Sequence, residues 1–324
     1  MLYSPTSMHL PDGFLSPAVA LVGWIIASVI LFRSLRLSQA ELGERQVPLM
    51  GILAAFIFAA QAVNFPVVAG TSGHLIGGTL AAVLLGPWAA SLVMTSVIVL
   101  QALLFQDGGL LVMGWNILTM GILSTFVGYG VYRLIRRTLK GNRQGMIVGS
   151  FTGAWLSVVA GAMVTAVILA LSGTFPLNLG LPAMSGLHAL IGVGEGAITV
   201  ATLVFLEAVR PNLVPSGKAA PGDTSAAWIA AAAGAVLVAV LLSPWASSAP
   251  DGLETVAEMG GFALRAQEAW FEILPDYTVP WLGNPVLTTL VAVGLGTIVM
   301  AGIGFALGRV MSSPEGRSLG ERSI

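Results

Sequence analysis

The sequence predicts an all-α fold, a polytopic membrane protein with about nine transmembrane helices, and three observations carry that prediction. Hydrophobic residues fill 56% of the 324 positions and charged residues only 9%, where a soluble domain carries roughly a quarter charged residues. Mean hydropathy is +0.89, and there are 40 glycines, a residue commoner in membrane helices than in soluble ones. Long apolar runs recur between breaks made by charge or by Pro and Gly. The glycines have no three-residue period, which excludes collagen, and the chain is too apolar to be disordered. The absence of cysteine excludes disulfides, thiolate metal sites, iron–sulfur clusters and cysteine nucleophiles. A net charge of -1 argues against a nucleic-acid partner.

The nine runs cover residues 15–32, 47–65, 75–85, 88–105, 110–132, 146–171, 183–206, 227–246 and 285–307. The first stops at Arg33, and the second starts after Arg45 and stops at Pro66. The third and fourth are continuous apart from Gly86-Pro87. A single helix there would be about 46 Å long, more than a hydrocarbon core of about 30 Å accepts without strong tilt, so Pro87 is read as a break. The fifth ends at Arg133, and the sixth follows Arg143. The seventh ends before Glu207, and the eighth and ninth enclose a polar loop, residues 247–284.

Charge fixes the expected orientation. Arg33, Arg36 and Arg45 follow the first run, Arg133, Arg136, Arg137, Lys140 and Arg143 the fifth, Arg210 and Lys218 the seventh, and Arg309, Arg317 and Arg322 the ninth. With nine spans, 13 of the 14 basic residues fall on one side, which the positive-inside rule makes cytoplasmic. The expected orientation has the N-terminus outside and the C-terminus in the cytoplasm. Merging the third and fourth runs would place Arg133–Arg143 opposite Arg33–Arg45. The one basic residue outside is Arg265, in an acidic loop carrying Asp251, Glu254, Glu258, Glu268, Glu272 and Asp276. Residues 210–226, rich in Pro, Gly and Ser, read as a cytoplasmic linker between a seven-span part and a two-span part. No Walker A pattern is present, so any ATPase working with this protein is expected on another chain.

Three histidines exist, His9, His74 and His188, and the topology puts all of them near the outer side. Each alone could serve local backbone groups, but together they favour a metal, for which neutral imidazole is a common ligand. In Met8-His9-Leu10-Pro11-Asp12-Gly13-Phe14, a chain starting at Met8 would offer its amine, the His9 amide nitrogen and the His9 imidazole as a planar three-nitrogen chelate. His74 could close the square. Tetragonal nitrogen suits Cu(II) and Ni(II), and Co(II) is compatible with four nitrogens; Mg and Ca prefer oxygen. Pro11-Asp12-Gly13 also reads as a turn, with Asp12 capping the first helix.

The segment Asn64-Phe65-Pro66 to His74 returns the chain to the third run, where Thr71 or Ser72 would cap the helix and leave His74 at a helix N-terminus. There the partial positive charge would keep the His74 ring neutral. His188 and Glu195 are seven apart and share a helix face. An ionisable residue in a span is a functional hypothesis by default, yet Glu195 is about 10 Å along the helix from His188. Buried support of a polar network is therefore favoured over coordination. Asn64, Gln101 and Asn116 are candidates for interhelical hydrogen bonds, and Gly23 and Ala27, four apart, for close approach of a partner helix.

These residues carry a resemblance. Met-His-x-Pro-Asp-Gly-Phe at 8–14, Asn-Phe-Pro at 64–66, Gly-Thr-Ser-Gly-His-Leu-x-Gly-Gly at 70–78, Leu-Gly-Pro-Trp-Ala at 85–89, Gln-x-Leu-x-Phe-x-Asp-Gly-Gly at 101–109 and His-x-Leu-Ile-Gly-x-Gly-Glu-Gly-x-Ile-Thr at 188–199 resemble the CbiM/NikM family. Those proteins are the membrane-embedded substrate-capture (S) components of energy-coupling-factor (ECF) transporters for cobalt or nickel. Pro250-Asp251-Gly252-Leu253-Glu254 and Pro275-Asp276-Tyr277 resemble the PDGLE domain, related to the CbiN/NikN accessory subunit. The resemblance implies a seven-helix metal-binding part at 8–209, the linker, a two-helix part at 227–310 and a cytoplasmic tail at 311–324. It further implies Co2+ or Ni2+ as transported substrate, with a slight lean to cobalt, held by the Met8 amine, the His9 amide and imidazole, and His74. Asp12, Asn64, Ser72, His188 and Glu195 would support that site, and the acidic loop would help load or gate it. No redox cofactor is implied. The implied partners are a transmembrane coupling protein (T component), two ATP-binding-cassette ATPase subunits and membrane lipid, with no nucleic acid.

One departure stands out. Residues 1–7 precede the motif, and while attached, Ser7 acylates the Met8 nitrogen and removes the amine ligand. A start at Met8, trimming, or ligation by a second deprotonated amide are the competing explanations, the first favoured. Two other functions compete with the transporter: a passive metal channel needing no ATPase, and an intramembrane metalloenzyme using the histidines and Glu195. Against the enzyme, there is no His-Glu-x-x-His pair and no general base beside an open metal position.

Overall fold

A computed structural model describes residues 9–41, 46–214, 225–267 and 269–312. Met8 and the extension before it lie outside the described residues, as do Arg45, Lys218 with most of the linker, Glu268, and Arg317 and Arg322 with most of the tail.

The protein is a helical membrane protein, and each of the nine apolar runs holds a helix. Helix α1 spans Pro17–Glu41 and α2 Val47–Gln61. After a short hairpin come α3, Gly78–Leu85, and α4, Pro87–Leu100. The break between them falls where the sequence places it. Gly86 sits at φ +81, a value open to glycine, and Pro87 occupies the first turn of α4, where no N–H is needed.

What the break produces differs from expectation. With eight residues α3 is about 12 Å long, too short to span the bilayer core, so the third run is a half-helix. It is wholly buried, and the chain from Ala62 to Gly77 leading into it is largely non-helical. Non-helical backbone among apolar helices is tolerated only where the protein satisfies its hydrogen bonds.

Helix α4 continues as a π-helical turn, Gln101–Phe105. The next span runs unbroken over Met113–Thr138, built from α5 (Met113–Asn116), a π-helical stretch Ile117–Leu123 and α6 (Ser124–Thr138). Two π segments thus flank the turn at 106–112, and such segments are frequent at functional sites. Helices α7 (Arg143–Leu171) and α8 (Leu177–Val209) follow. The C-terminal part has α9 (Ser225–Leu242), a short α10 (Gly252–Met259) and α11 (Pro285–Ser312). Among the described residues six helical stretches are long and apolar enough to cross a membrane, and α2 and residues 233–245 are shorter apolar helices.

Small residues set the packing. A Cβ on Gly153 of α7 would lie 2.5 Å from the Gly128 carbonyl oxygen of α6, and one on Gly304 of α11 would lie 2.8 Å from the Met50 carbonyl oxygen of α2. Close backbone approach of this kind drives helix association where lipid removes the hydrophobic difference. The last helix is therefore seated on the second. Gly23 and Ala27 serve the same end: Gly23 abuts the Trp115 ring and Ala27 is 1% exposed. That face, expected to await a partner helix, is used within the chain.

Candidate metal centre

The non-helical chain between α2 and α3 presents His74. Strands β1 (Phe65–Pro66) and β2 (Ser72–Gly73) pair antiparallel, and Val67 N–H donates to the Thr71 carbonyl at 2.7 Å to close the reversal. His74 follows β2, four residues before α3 begins. It is therefore not at a helix N-terminus, and the electrostatic argument for its neutral ring lapses. A local hydrogen bond orients it instead: the carbonyl oxygen of Leu75, 3.1 Å away, can only accept. Nδ1 therefore carries the proton, and in the neutral ring Nε2 is the ligating nitrogen.

Neither Thr71 nor Ser72 caps α3, whose N-cap is Gly77. The capping acceptor comes from α8: the Glu195 carboxylate, fully buried, accepts Ile76 N–H at 2.6 Å and Gly77 N–H at 2.9 Å. Gln61 Nε2 donates to the Ile76 carbonyl at 2.7 Å. Both Glu195 oxygens are thus engaged with the backbone that carries His74.

His9 is placed by the turn after α4. Asn116 grips Leu10 from both sides, accepting its N–H and donating to its carbonyl, each at 3.1 Å. Gly109 N–H donates to the same carbonyl at 2.9 Å. Asp12 does not cap α1; its carboxylate accepts the N–H groups of Leu110, Leu111 and Val112 at 2.9–3.1 Å. The His9 ring, with the residue 1% exposed, donates Nδ1–H to Asp107 Oδ1 at 2.7 Å. Tyr277 hydroxyl donates to Asp107 Oδ2 at 2.8 Å, and Gln101 Nε2 donates to the Tyr277 oxygen at 2.9 Å. Burial would raise the Asp107 carboxyl, but its electrostatic attraction to the His9 ring and the hydrogen bonds from His9 and Tyr277 outweigh it and hold Asp107 below the ordinary carboxylate range.

The acidic loop closes over both segments. Ser72 donates N–H to the Pro250 carbonyl and its hydroxyl to the Ala249 carbonyl, at 2.8 and 2.7 Å. Ser247 N–H donates to the Asn64 carbonyl at 2.8 Å, so Asn64 acts through its backbone. Gln267 N–H reaches the Asp12 carbonyl at 2.8 Å. Within the loop, Asp251 and Glu254 form a capping box on α10, and burial raises both carboxyls, with added repulsion from Asp107 on each and from Asp251 on Glu254. The start of α10 rests on His188: a Cβ on Gly252 would lie 2.6 Å from His188 Cε1 and 2.8 Å from Ile191 Cδ1. Gly252→Val is therefore expected to lift the loop, lowering metal affinity and the unfolding temperature together. Thermal unfolding with and without metal checks this, and a wild-type response would show that the loop does not need this contact.

The three histidines line one cavity of about 80 Å3, with Asn116, Met120, Met184 and Asp251. His9 and His74, 65 positions apart in sequence, have ring centres 6.1 Å apart. Imidazoles on adjacent corners of a nitrogen square, with metal bonds near 2 Å, would have ring centres about 4.5 Å apart. The pair must therefore approach by about 1.5 Å to share an ion in that arrangement. His188 donates Nδ1–H to the Met184 carbonyl at 2.8 Å and stands on the cavity wall. Among the described residues no three acidic or histidine side chains are close enough to hold an ion. The chelate expected of His9 needs Nδ1, the nitrogen that closes a six-membered ring with its own amide nitrogen, and Asp107 occupies that nitrogen.

Two parts of this arrangement escaped sequence reasoning. Asp107 lay in a motif read only as a turn, and Tyr277 in the accessory motif had no role; both sit 98 or more residues from what they touch at the site.

The family model for the cobalt uptake substrate-specific transmembrane region, CbiM, matches residues 9–213, which include His9, His74, Asp107, His188 and Glu195. The chain belongs to the CbiM family. A PDGLE domain model matches residues 225–313, so the CbiM region and a PDGLE domain share one chain. It is 39% identical over 310 residues to a putative fused nickel transport protein NikMN of Archaeoglobus fulgidus, covering 93% of this chain and 98% of that one. It is 29% identical to the fused nickel transport protein NikMN of Rhodobacter capsulatus over 93% of this chain and 97% of the relative. With the cobalt transport protein CbiM of Streptomyces coelicolor, identity is 32% over 65% of this chain and 90% of the relative. A crystal structure of a truncated transition metal transporter superposes with a TM-score of 0.55 at 36% identity, over 61% of this chain and 97% of that one. These relatives mark a metal-transport protein of the membrane rather than an enzyme.

Proposed function

We propose that this chain captures one Ni2+ or Co2+ ion at the His9–His74 site, as the substrate-specific component of an ECF transporter. The observation that carries the reading is the convergence of His9 and His74 at 6.1 Å over a cavity that also receives His188. The Met8 amine and the His9 amide nitrogen complete the ligand set once the chain starts at Met8. Nitrogen donors suit both metals. Nickel is favoured over the cobalt expected from sequence, because the relatives matched over 93% of this chain are named for nickel, while those named for cobalt match 65% and 66% of it. The site end faces outward and the arginine-rich end inward. A coupling membrane protein and two ATPase subunits supply the energy.

The test is metal content of the purified Met8-start and 324-residue forms, with His9→Ala beside them. One ion per chain in the Met8-start form, bound at least as tightly as in the longer form and lost in the variant, is expected. Metal on the longer form alone would overturn the amine ligand, and binding that survives His9→Ala would overturn the site. Uptake by the chain with and without its ATPase and coupling partners tests the energy source; full uptake alone would favour a facilitator.

A further inference from the structure

We propose that Asp107 and Tyr277 form a latch on the metal site: Asp107 holds the His9 nitrogen that the ion needs, and Tyr277, brought by the C-terminal part, loosens that hold. The inference rests on the capture reading above. Donors and acceptors along the chain leave one direction open. The Gln101 amide donates to Tyr277, Tyr277 has a single proton and donates it to Asp107 Oδ2, and Asp107 Oδ1, an acceptor, takes the proton on His9 Nδ1. With Nδ1 on Asp107, His9 is therefore an Nδ1–H ring. Chelation through the His9 amide and Nδ1 requires the opposite tautomer, protonated at Nε2. Loading must break the bond to Asp107 and move the ring proton from Nδ1 to Nε2, with no net change at the ring.

Tyr277 acts on that bond because two donors share one carboxylate. Each withdraws charge from the acceptor and weakens the other, and the Gln101 amide polarises the Tyr277 hydroxyl into a stronger donor. The backbone is strained to make the contact. Asp276 and Tyr277 are consecutive non-glycine residues at φ +50 and +56, a conformation that persists only where surroundings impose it. The ring is stacked on Phe105 at 4.7 Å and 17°, so Tyr277→Phe removes the hydroxyl and keeps the packing. Asp107→Asn is equally conservative in shape, since its amide oxygen still accepts Nδ1–H but as a neutral acceptor about half as strong.

The two variants are expected to move loading in opposite directions. Stopped-flow mixing of Ni2+ with the Met8-start protein should be about tenfold faster for Asp107→Asn and several-fold slower for Tyr277→Phe. General loss of structure would slow both. A second readout needs no bound metal: with three histidines in the chain, 15N-histidine spectra of the empty protein should show His9 as the Nδ1–H tautomer, moving toward Nε2–H in Asp107→Asn. Rates shifted in the same direction, or unchanged, or an Nε2–H ring in the empty wild type, would overturn the latch. A wild type with the expected tautomer but no metal binding would overturn the capture reading instead.

Discussion

His74→Ala is expected to abolish tight binding of Ni2+ and Co2+, with a loss larger than the roughly 10–100-fold that follows removal of an outer-shell partner. The reason is geometric. His74 brings a ring from outside the N-terminal segment to His9, at 6.1 Å between centres, and its Nε2 is turned to ligation by the Leu75 carbonyl. Removing it leaves a site built from one end of the chain. His188→Ala should weaken binding far less, because His188 is committed to the Met184 carbonyl and stands on the cavity wall. Competition titration against a metal-sensitive dye measures both. If His188→Ala releases the ion and His74→Ala keeps it, the ligand is His188 and the site lies deeper in the cavity.

Glu195→Ala should give the largest loss of stability of any single change near the site. Its carboxylate, at 0% exposure, is the acceptor for Ile76 and Gly77 N–H. Alanine leaves two backbone donors buried without it, each costing about 1–3 kcal/mol, and opens a cavity besides. Those donors belong to the non-helical stretch that carries His74 into α3, so metal affinity should fall along with the unfolding temperature. Glu195→Gln should be intermediate, since an amide offers one acceptor oxygen and turns an N–H toward the second donor. Thermal unfolding in one detergent, with metal titration of the folded fraction, checks the pair. Wild-type stability in Glu195→Ala would mean that α3 is held by packing alone.

Much of the fold is legible along the chain because its determinants are local. Nine apolar runs, the Gly86-Pro87 break and the basic clusters are properties of short windows, and each run does hold a helix. The third run misleads because hydropathy reports that a segment is buried, not whether a helix or the surrounding protein buries it. Eight helical residues suffice there since Glu195 and Gln61 satisfy the chain ahead of α3. Asp12 shows the same limit. Its type and its place before a helix suggest a local cap, but its three donors come from residues 98–100 positions away.

The sequence by itself determined a helical membrane protein with three histidines as its only nitrogen side chains fit for a metal, and with the family motifs around two of them. The tertiary structure alone decided that Asp107 holds His9, that Tyr277 from the far end of the chain holds Asp107, and that the acidic loop closes on Ser72 and Asp12. The physical reason is the range of the forces. Burial of an apolar segment depends on its own composition, whereas a hydrogen bond needs its partner within about 3 Å, and which partner arrives there is set by how the helices pack.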